Sequence, residues 1–371
     1  MAKAKKKATT KKLLDPELSA KEKFASIRKS VEKEYGAGTA LKASEVKLKK
    51  KFLVPVSPSL DIGLCGGVPS GVWIMMSGPE KSGKSTLALQ IVKNAQELFG
   101  CETLFLNVES RFKKQSTTSI KGIDLDKVLV VETTADKIMY AEDYLEVAED
   151  VITNTYGSII IFDSLSRLYT RAGGDAEVSG TKRPTAQKLM SDFVSRMGGM
   201  VAARNHIVIC IAQIYANTSG YGAGSVISVP NCIRFQSDII MHIKKTEAWK
   251  AKYAGEEETQ IGNILDWDIV QNAIGQPPFG LVQSYLKFGV GAGVTEELFN
   301  LAVDCMIIEK SGTWFKFATG DQVQGEAKAC QYLEEHPEYF AEVTAQVREY
   351  TYDPVVMADF MTVDETIEQV A

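Results

Sequence analysis

No apolar run in this chain approaches the ~18 residues that a membrane-spanning helix needs; the longest candidates are Val72-Trp73-Ile74-Met75-Met76 and the stretch from Ile207 to Ala212. Six cysteines, at 65, 101, 210, 232, 305 and 330, include no Cys-x-x-Cys pair and have no histidine at metal-ligand spacing. That argues against a disulfide framework and a zinc site, and the thiols read as buried and reduced in a cytoplasmic protein with no membrane partner. The segment from Lys3 to Lys12 contains no acid and no apolar stretch. It is therefore not a secretory signal, and a frayed basic tail or an organelle transit peptide remains. There is no internal repeat, and 45% hydrophobic with 24% charged residues excludes both a wholly disordered chain and a collagen-like fibre. Nor is there a positive net charge: 42 Lys plus Arg stand against 47 Asp plus Glu, a formal −5 that does not advertise a nucleic-acid binder.

What is present is an uneven distribution. Residues 1–51 hold 16 basic and 6 acidic side chains, leaving 26 against 41 for the remainder, and from Asp353 to the end there are five acids and no base. Residues 1–14 read as disordered, and Asp15-Pro16-Glu17 is a plausible helix start, since Pro suits the first turn and acids suit the positive helix end. Leu18, Phe24, Ile27, Val31 and Tyr35 recur at helical spacing until Gly36-Ala37-Gly38. This 17–35 helix has a narrow apolar stripe on a charged body, suited to packing on another subunit or on its own core.

From Pro55, short apolar runs alternate with longer helical patterns. The runs are Val72–Ser77, Thr103–Val108, Val128–Val131, Ser158–Asp163, Ile207–Gln213 and Ile239–Lys244; helices fit Ser85–Phe99, Ala135–Thr155 and Thr185–Asn205. Strands apolar on both faces and joined by helices predict an α/β domain with a mainly parallel sheet covered on both sides. After residue 290 the pattern is helix (Glu296–Ile308), aromatic hairpin (Thr313–Ala318), helix (Glu326–Glu335), helix (Tyr339–Glu349), a small α+β appendix. The expected organisation is a basic tail with the helix suited to packing on another subunit (1–54), an α/β core (55–290), a small C-terminal domain (291–352) and an acidic tail (353–371).

Gly78-Pro79-Glu80-Lys81-Ser82-Gly83-Lys84-Ser85 fills the Gly-x4-Gly-Lys-Ser/Thr pattern at a strand-to-helix transition. Glycines let backbone N–H groups wrap phosphates, Lys84 reaches the outer phosphates, and Ser85 ligates Mg²⁺. Asp163 ends an apolar strand about 80 residues later, the position from which a carboxylate holds a Mg²⁺ shell. Glu109, ending the strand after the P-loop helix, is either a water-orienting base or a surface acid or helix cap. Gln213 is an amide able to touch a γ-phosphate. Two Gly-rich segments, Arg171–Ala186 and Ala216–Pro230, follow strand ends and read as mobile loops, either DNA-contacting or plain surface. Gly289-Val290-Gly291-Ala292-Gly293 is a turn and not a dinucleotide fingerprint.

These residues resemble the RecA family of homologous-recombination ATPases, from about Ala20 to Tyr350. Ser59-Leu60-Asp61-Ile62-Gly63 with Gly66-Gly67-Val68-Pro69-Ser70-Gly71 is similar to the family's lead-in, and Ile308-Glu309-Lys310-Ser311-Gly312-Thr313-Trp314 to its C-terminal domain. The resemblance implies a RecA-like core binding ATP through Gly78 to Thr86, with Phe288 over the base. It implies Mg²⁺ held at Ser85 and Asp163, and catalysis by Lys84, Glu109 and Gln213. It also implies helical self-assembly through the 17–35 helix, and single- and double-stranded DNA bound by Arg171, Gly173, Lys182, Arg183, Asn217, Ser225, Asn231 and Arg234. The family's Lys-Asn-Lys, which reaches the neighbouring subunit's γ-phosphate, is here Gln271-Asn272-Ala273, and Lys287 is one candidate substitute. The family's adenine-side Asp and Tyr fall at Lys113 and Ser116, and the Asn before the sensing Gln is Ala212. The expected function is a strand-exchange ATPase, with a bacteriophage member as the expectation. The alternative is a DNA-binding filament protein that needs ATP and scarcely hydrolyses it. A small-molecule P-loop kinase and a replicative helicase fit the N-terminal and C-terminal matches less well.

Overall fold

A computed structural model of the chain describes residues 19–45, 51–112, 120–174, 186–216, 225–227, 229–251, 257–273 and 280–351. Two compact units emerge, Met1–Lys49 and Lys50–Ala371. In the first, helix α1 (Ala20–Tyr35) starts later than the Asp15-Pro16-Glu17 signal suggests. Ser19 is extended, its hydroxyl accepts from the Glu22 N–H, and the Glu22 carboxylate accepts from the Ser19 N–H at 2.9 Å. This reciprocal box satisfies two N–H groups that the first turn cannot. Arg28 bridges Glu32 (3.3 Å) and Glu45 (2.7 Å), tying the turn Ala43–Glu45 to the helix. No residue of α1 is buried, and Phe24 is 75% exposed.

The second unit runs β1 (Leu53–Val54), α2 (Pro58–Gly63), β2 (Val68–Pro69), β3 (Val72–Gly78), α3 (Lys84–Phe99), β4 (Thr103–Asn107), β5 (Val128–Val131), α4 (Ala141–Asn154), β6 (Ile159–Asp163) and α5 (Arg171–Gly174). It continues with α6 (Ala186–Ala203), β7 (Ile207–Ala216), β8 (Ser225–Ile227), α7 (Asn231–Gln236), β9 (Ile239–Ala251), β10 (Thr259–Asn272), β11 (Gly280–Lys287) and β12 (Gly291–Ala292). The large sheet has the order β12-β11-β10-β9-β3-β7-β6-β4-β5, with β8 added to the end of β7. Pairing is parallel from β9 across to β5 and antiparallel from β9 out to β12.

Alternation along β3 builds two cores. Ile74 and Met76 face one side with Leu87, Ile91, Phe105 and Trp267, covered by α3; Trp73 and Met75 face the other with Phe162, Phe193 and Cys210, covered by α4 and α6. Each large apolar side chain so buried contributes about 1.5–3 kcal/mol. The C-terminal part comprises α8 (Val294–Asp304), a three-stranded antiparallel sheet of β13 (Glu309–Ser311), β14 (Trp314–Lys316) and β15 (Gln322–Gln324), α9 (Glu326–Glu335) and α10 (Pro337–Thr351). They enclose Phe299, Phe315, Phe317, Leu333 and Val343. Among the described residues, no helix is long and apolar enough to cross a membrane.

Four elements differ from what the sequence pattern predicts. The helix expected from Ala135 begins at Ala141, because the hydroxyls of Thr133 and Thr134 accept from the N–H groups of Met139 and Lys137 and hold a loop. Strand β9 runs past Lys244 to Ala251, since Lys244 reaches Asp268 of β10 at 3.0 Å and the charges point outward. The β10–β11 hairpin adds strands that the apolar runs do not announce, although Leu265-Asp266-Trp267-Asp268-Ile269 alternates buried with partly exposed positions. The aromatic hairpin gains a third strand, β15.

Candidate functional site

Strand β3 delivers the chain into the turn at Gly78, and α3 lifts it out again at Lys84. Gly83 has φ +97°, a left-handed conformation that suits glycine, and a Cβ there would also come within 2.6 Å of Leu286 Cδ1. A Cβ on Gly78 would stand 2.8 Å from Ile243 Cβ. At these two positions the loop is packed too closely for a side chain. Lys84 Nζ curls back onto the carbonyls of Gly78 (2.9 Å) and Pro79 (2.5 Å) and the Ser82 hydroxyl (3.3 Å). Burial pulls its pKa down, against the opposing charges of Asp163, Glu109 and Glu80.

The parallel register sets the acids beside this loop. Asn107 at the end of β4 lies opposite Asp163 of β6, and Gly78 of β3 lies opposite Gln213 of β7. The Ser85 hydroxyl donates to Asp163 Oδ2 at 2.7 Å. Burial raises the Asp163 pKa and the Glu109 charge adds to this, while the Ser85 hydrogen bond and the Lys84 charge oppose it. The Glu109 N–H donates to the Asp163 carbonyl at 3.2 Å, and its carboxylate accepts from the Ser164 hydroxyl (2.5 Å) and the Gln213 side-chain amide. Arg111 Nε stands 3.3 Å from the other Glu109 oxygen, and its terminal nitrogen 3.9 Å from Glu80. The Gln213 N–H donates to the Ser166 hydroxyl at 3.1 Å.

A cavity of about 210 Å³ is walled by Glu80, Lys81, Lys84, Ser85, Glu109, Arg111, Phe112, Asp163, Ser164 and Gln213. A second, of about 250 Å³, lies on the other side of the turn and is lined by Lys81 to Thr86 with Asn263, Leu286, Lys287 and Phe288. The predicted residues Lys84, Ser85, Glu109, Asp163 and Gln213 therefore share one cleft, with Phe288 and Thr86 at its neighbour. Lys287 sits beside the P-loop but is engaged with Glu296 at 3.4 Å. Among the described residues no group of three or more His, Cys, Asp or Glu could hold a metal ion. One hydroxyl and one partly buried carboxylate suit Mg²⁺, which prefers hard oxygens and completes its shell with phosphate and water.

The expected DNA-contacting residues are less uniform. Arg171 opens α5 with its guanidinium 2.5 Å from Asp143 and 5.4 Å from the Tyr140 ring centre, so it is engaged within the chain. Gly173 falls in α5 and Ser225 in β8, where it pairs with Ala216. Asn231 and Arg234 are exposed on α7, next to Phe235, which is 85% exposed. Lys182, Arg183 and Asn217 lie outside the described residues, as do Lys113, Ser116, residues 1–14 and the acidic segment 353–371. Gln271 donates its side-chain amide to the Ser237 carbonyl at 2.8 Å, and Asn272 to that of Gly63 at 3.4 Å.

Sequence reasoning passes over Arg111, Ser164, Ser166 and His242. The serines closely follow Asp163, the only local hint available. His242, whose ring nitrogen meets the Ser77 hydroxyl just before the P-loop, has its pKa lowered first by burial.

Comparison with known proteins adds an independent line. The family model described as the RecA N-terminal domain matches residues 22–293, and the RecA C-terminal domain matches residues 296–351. The chain is 30% identical over 322 residues to "Protein RecA, chromosomal" of Lactococcus lactis subsp. lactis, covering 86% of this chain and 81% of that protein. It is 29% identical over 324 residues to "Protein RecA" of a Nitratiruptor species, covering 86% and 90%. Against "Protein RecA" of Lactobacillus acidophilus the identity is 29% over 336 residues, covering 89% of each.

Proposed function

The chain belongs to the RecA family, and from that premise we propose that it is an ATP-dependent recombinase. It assembles as a helical filament on single-stranded DNA, pairs it with a homologous duplex and exchanges strands, with DNA-stimulated ATP hydrolysis. The observation that carries this reading is the convergence of Lys84, Ser85, Glu109, Asp163 and Gln213 on one cleft at the carboxyl ends of parallel strands.

In that cleft the P-loop backbone and Lys84 bind the ATP phosphates, which replace the carbonyl partners Lys84 now holds. Ser85 and Asp163 would hold Mg²⁺, which neutralises phosphate charge when bound. Glu109 orients the attacking water and takes its proton. Gln213 hydrogen-bonds Glu109 and lies on the strand that leads into residues 216–230, so a change at the phosphate is passed to the second DNA-contacting segment. DNA contact is assigned to segments 171–186 and 216–234, and self-assembly to the apolar stripe of α1.

The decisive experiment is ATP-dependent filament formation on single-stranded DNA followed by exchange into a homologous duplex. Absence of ATP-stimulated assembly on DNA sinks the proposal. A second reading, a filament protein that requires ATP with little hydrolysis, is favoured by the neutral Gln271 and Ala273 where the resemblance expects lysines. Turnover measured alongside strand pairing separates the two, and a rate untouched by Glu109→Gln favours the second.

A further inference from the structure

We propose that Arg111 is a catalytic residue acting in its own subunit's cleft, supplying the cation that the γ-phosphate requires during hydrolysis. This rests on the ATPase reading above. Arg111 belongs to the wall of the cavity that holds Lys84, Ser85, Glu109, Asp163 and Gln213. Its side chain is 57% exposed, and the ion pairs that hold it are a 3.3 Å contact to Glu109 and a 3.9 Å contact to Glu80. The longer contact, between two half-exposed side chains, is worth roughly 0–1 kcal/mol in water, and the Glu109 contact joins a buried carboxylate to a guanidinium that stays open to solvent. The guanidinium is thus tethered at the rim through one nitrogen to one Glu109 oxygen, and a phosphate, with more charge and with geometry matched to its fork of donors, competes for it.

The charge balance points the same way. Three carboxylates, Glu80, Glu109 and Asp163, crowd this cleft, and Lys84 lies deep within it. A triphosphate adds several negative charges; Lys84 and Lys81 are carried on the P-loop itself, and Arg111 is the cation on the Glu109 side of the cavity. Lys287 is held by Glu296 on the other side of the turn.

The exchange also prepares the base. With Arg111 drawn to the γ-phosphate, the Glu109 oxygen it occupied becomes free to accept from water, while Ser164 and Gln213 keep the other oxygen fixed. The water oxygen bonds to Pγ and its proton passes to Glu109 and then to solvent. The bond from Pγ to the β–γ bridging oxygen breaks, with its electron pair leaving on ADP. The products are ADP, inorganic phosphate and one proton, and Arg111 neutralises the charge gathering on the phosphoryl oxygens.

The test compares ATP turnover on single-stranded DNA, and binding of a fluorescent ATP analogue, for wild type, Arg111→Ala, Arg111→Lys and Lys84→Ala. The expected result for Arg111→Ala is a kcat about 10²–10³-fold lower, with analogue affinity within about threefold, partial recovery in Arg111→Lys, and partial rescue by added millimolar guanidinium. Thermal unfolding at the wild-type temperature establishes that the fold is kept. Wild-type turnover in Arg111→Ala overturns the inference, and loss of turnover in Lys84→Ala then leaves the ATPase reading standing. Loss of affinity and turnover together, without guanidinium rescue, also overturns it in favour of ground-state binding. A wild type that binds the analogue without turning over ATP overturns the inference and the hydrolytic reading together, and leaves only nucleotide binding.

Discussion

Glu109 carries a crowded set of interactions: one carboxylate oxygen accepts from Ser164 and Gln213, and the other meets Arg111. With only 9% of its side chain exposed, it is held in one orientation, which is what a base needs if it is to meet a water at a fixed point. Glu109→Gln keeps an oxygen acceptor and removes the proposed proton acceptor. The expected outcome is single-turnover ATP hydrolysis slower by about 10²–10³-fold with nucleotide affinity nearly unchanged, read by rapid quench and by equilibrium binding. At this scale much was legible in the chain. Lys84 and Ser85 follow from a pattern a few residues long, because the backbone turn that needs Gly83 and the helix that starts at Lys84 are local, and Asp163 needs in addition its place about 80 residues after that turn. Glu109 stayed open between a base and a surface acid for the opposite reason. The hydrogen-bond donors Ser164 and Gln213 are 55 and 104 positions away, and nothing in its neighbours predicts them.

At the scale of elements, α1 and α8 show two ways in which a helix is held. Helix α1 is fixed by its Ser19–Glu22 box and the Arg28–Glu45 bridge, while Phe24 and Ile27 stay exposed. Phe24→Glu is therefore expected to leave nucleotide binding and the unfolding temperature unchanged and to reduce assembly on DNA, as sedimentation or electron microscopy would record. Intact assembly in that variant removes α1 from the proposed interface. Helix α8 is anchored through Glu297, whose carboxylate is fully buried and accepts from the N–H groups of Ser59 (2.9 Å) and Tyr285 (2.8 Å). Burial pushes its pKa up to about 7, with those hydrogen bonds opposing. The folded chain thus keeps a proton that the unfolded chain sheds near pH 4.5. The stabilisation is complete below that pH and is lost as pH rises through about 7, a difference on the order of 3 kcal/mol. Denaturation midpoints from about pH 5 to 8 are expected to fall for wild type and to fall less steeply for Glu297→Gln; parallel slopes in the two proteins would refute the assignment. The helix itself was readable from its spacing, but the burial of an acid in its first turn was not, since an acid there ordinarily faces water.

For the whole molecule, the formal −5 conceals separate charge regions, and DNA responds to the local surface it meets. Binding to single-stranded DNA should weaken linearly in log–log form with salt, with a slope of about −0.7 per phosphate neutralised. Removing residues 353–371 should strengthen duplex binding if the acidic segment repels DNA, and unchanged duplex affinity would dismiss that role. By itself the sequence determined the alternation of apolar strands and helices, the P-loop, the apolar stripe of α1 and the charge asymmetry. Each depends on periodicity or on backbone hydrogen bonds made within a few residues. The tertiary structure alone decided what meets what. The order β9-β3-β7-β6-β4-β5 inserts β7 and β6 between the consecutive strands β3 and β4. It is that insertion which puts Gln213, Asp163, Ser164 and Arg111 around one cavity. Strand order is settled by burying two apolar faces at once under α3 on one side and α4 and α6 on the other, a global balance that no short stretch of residues encodes.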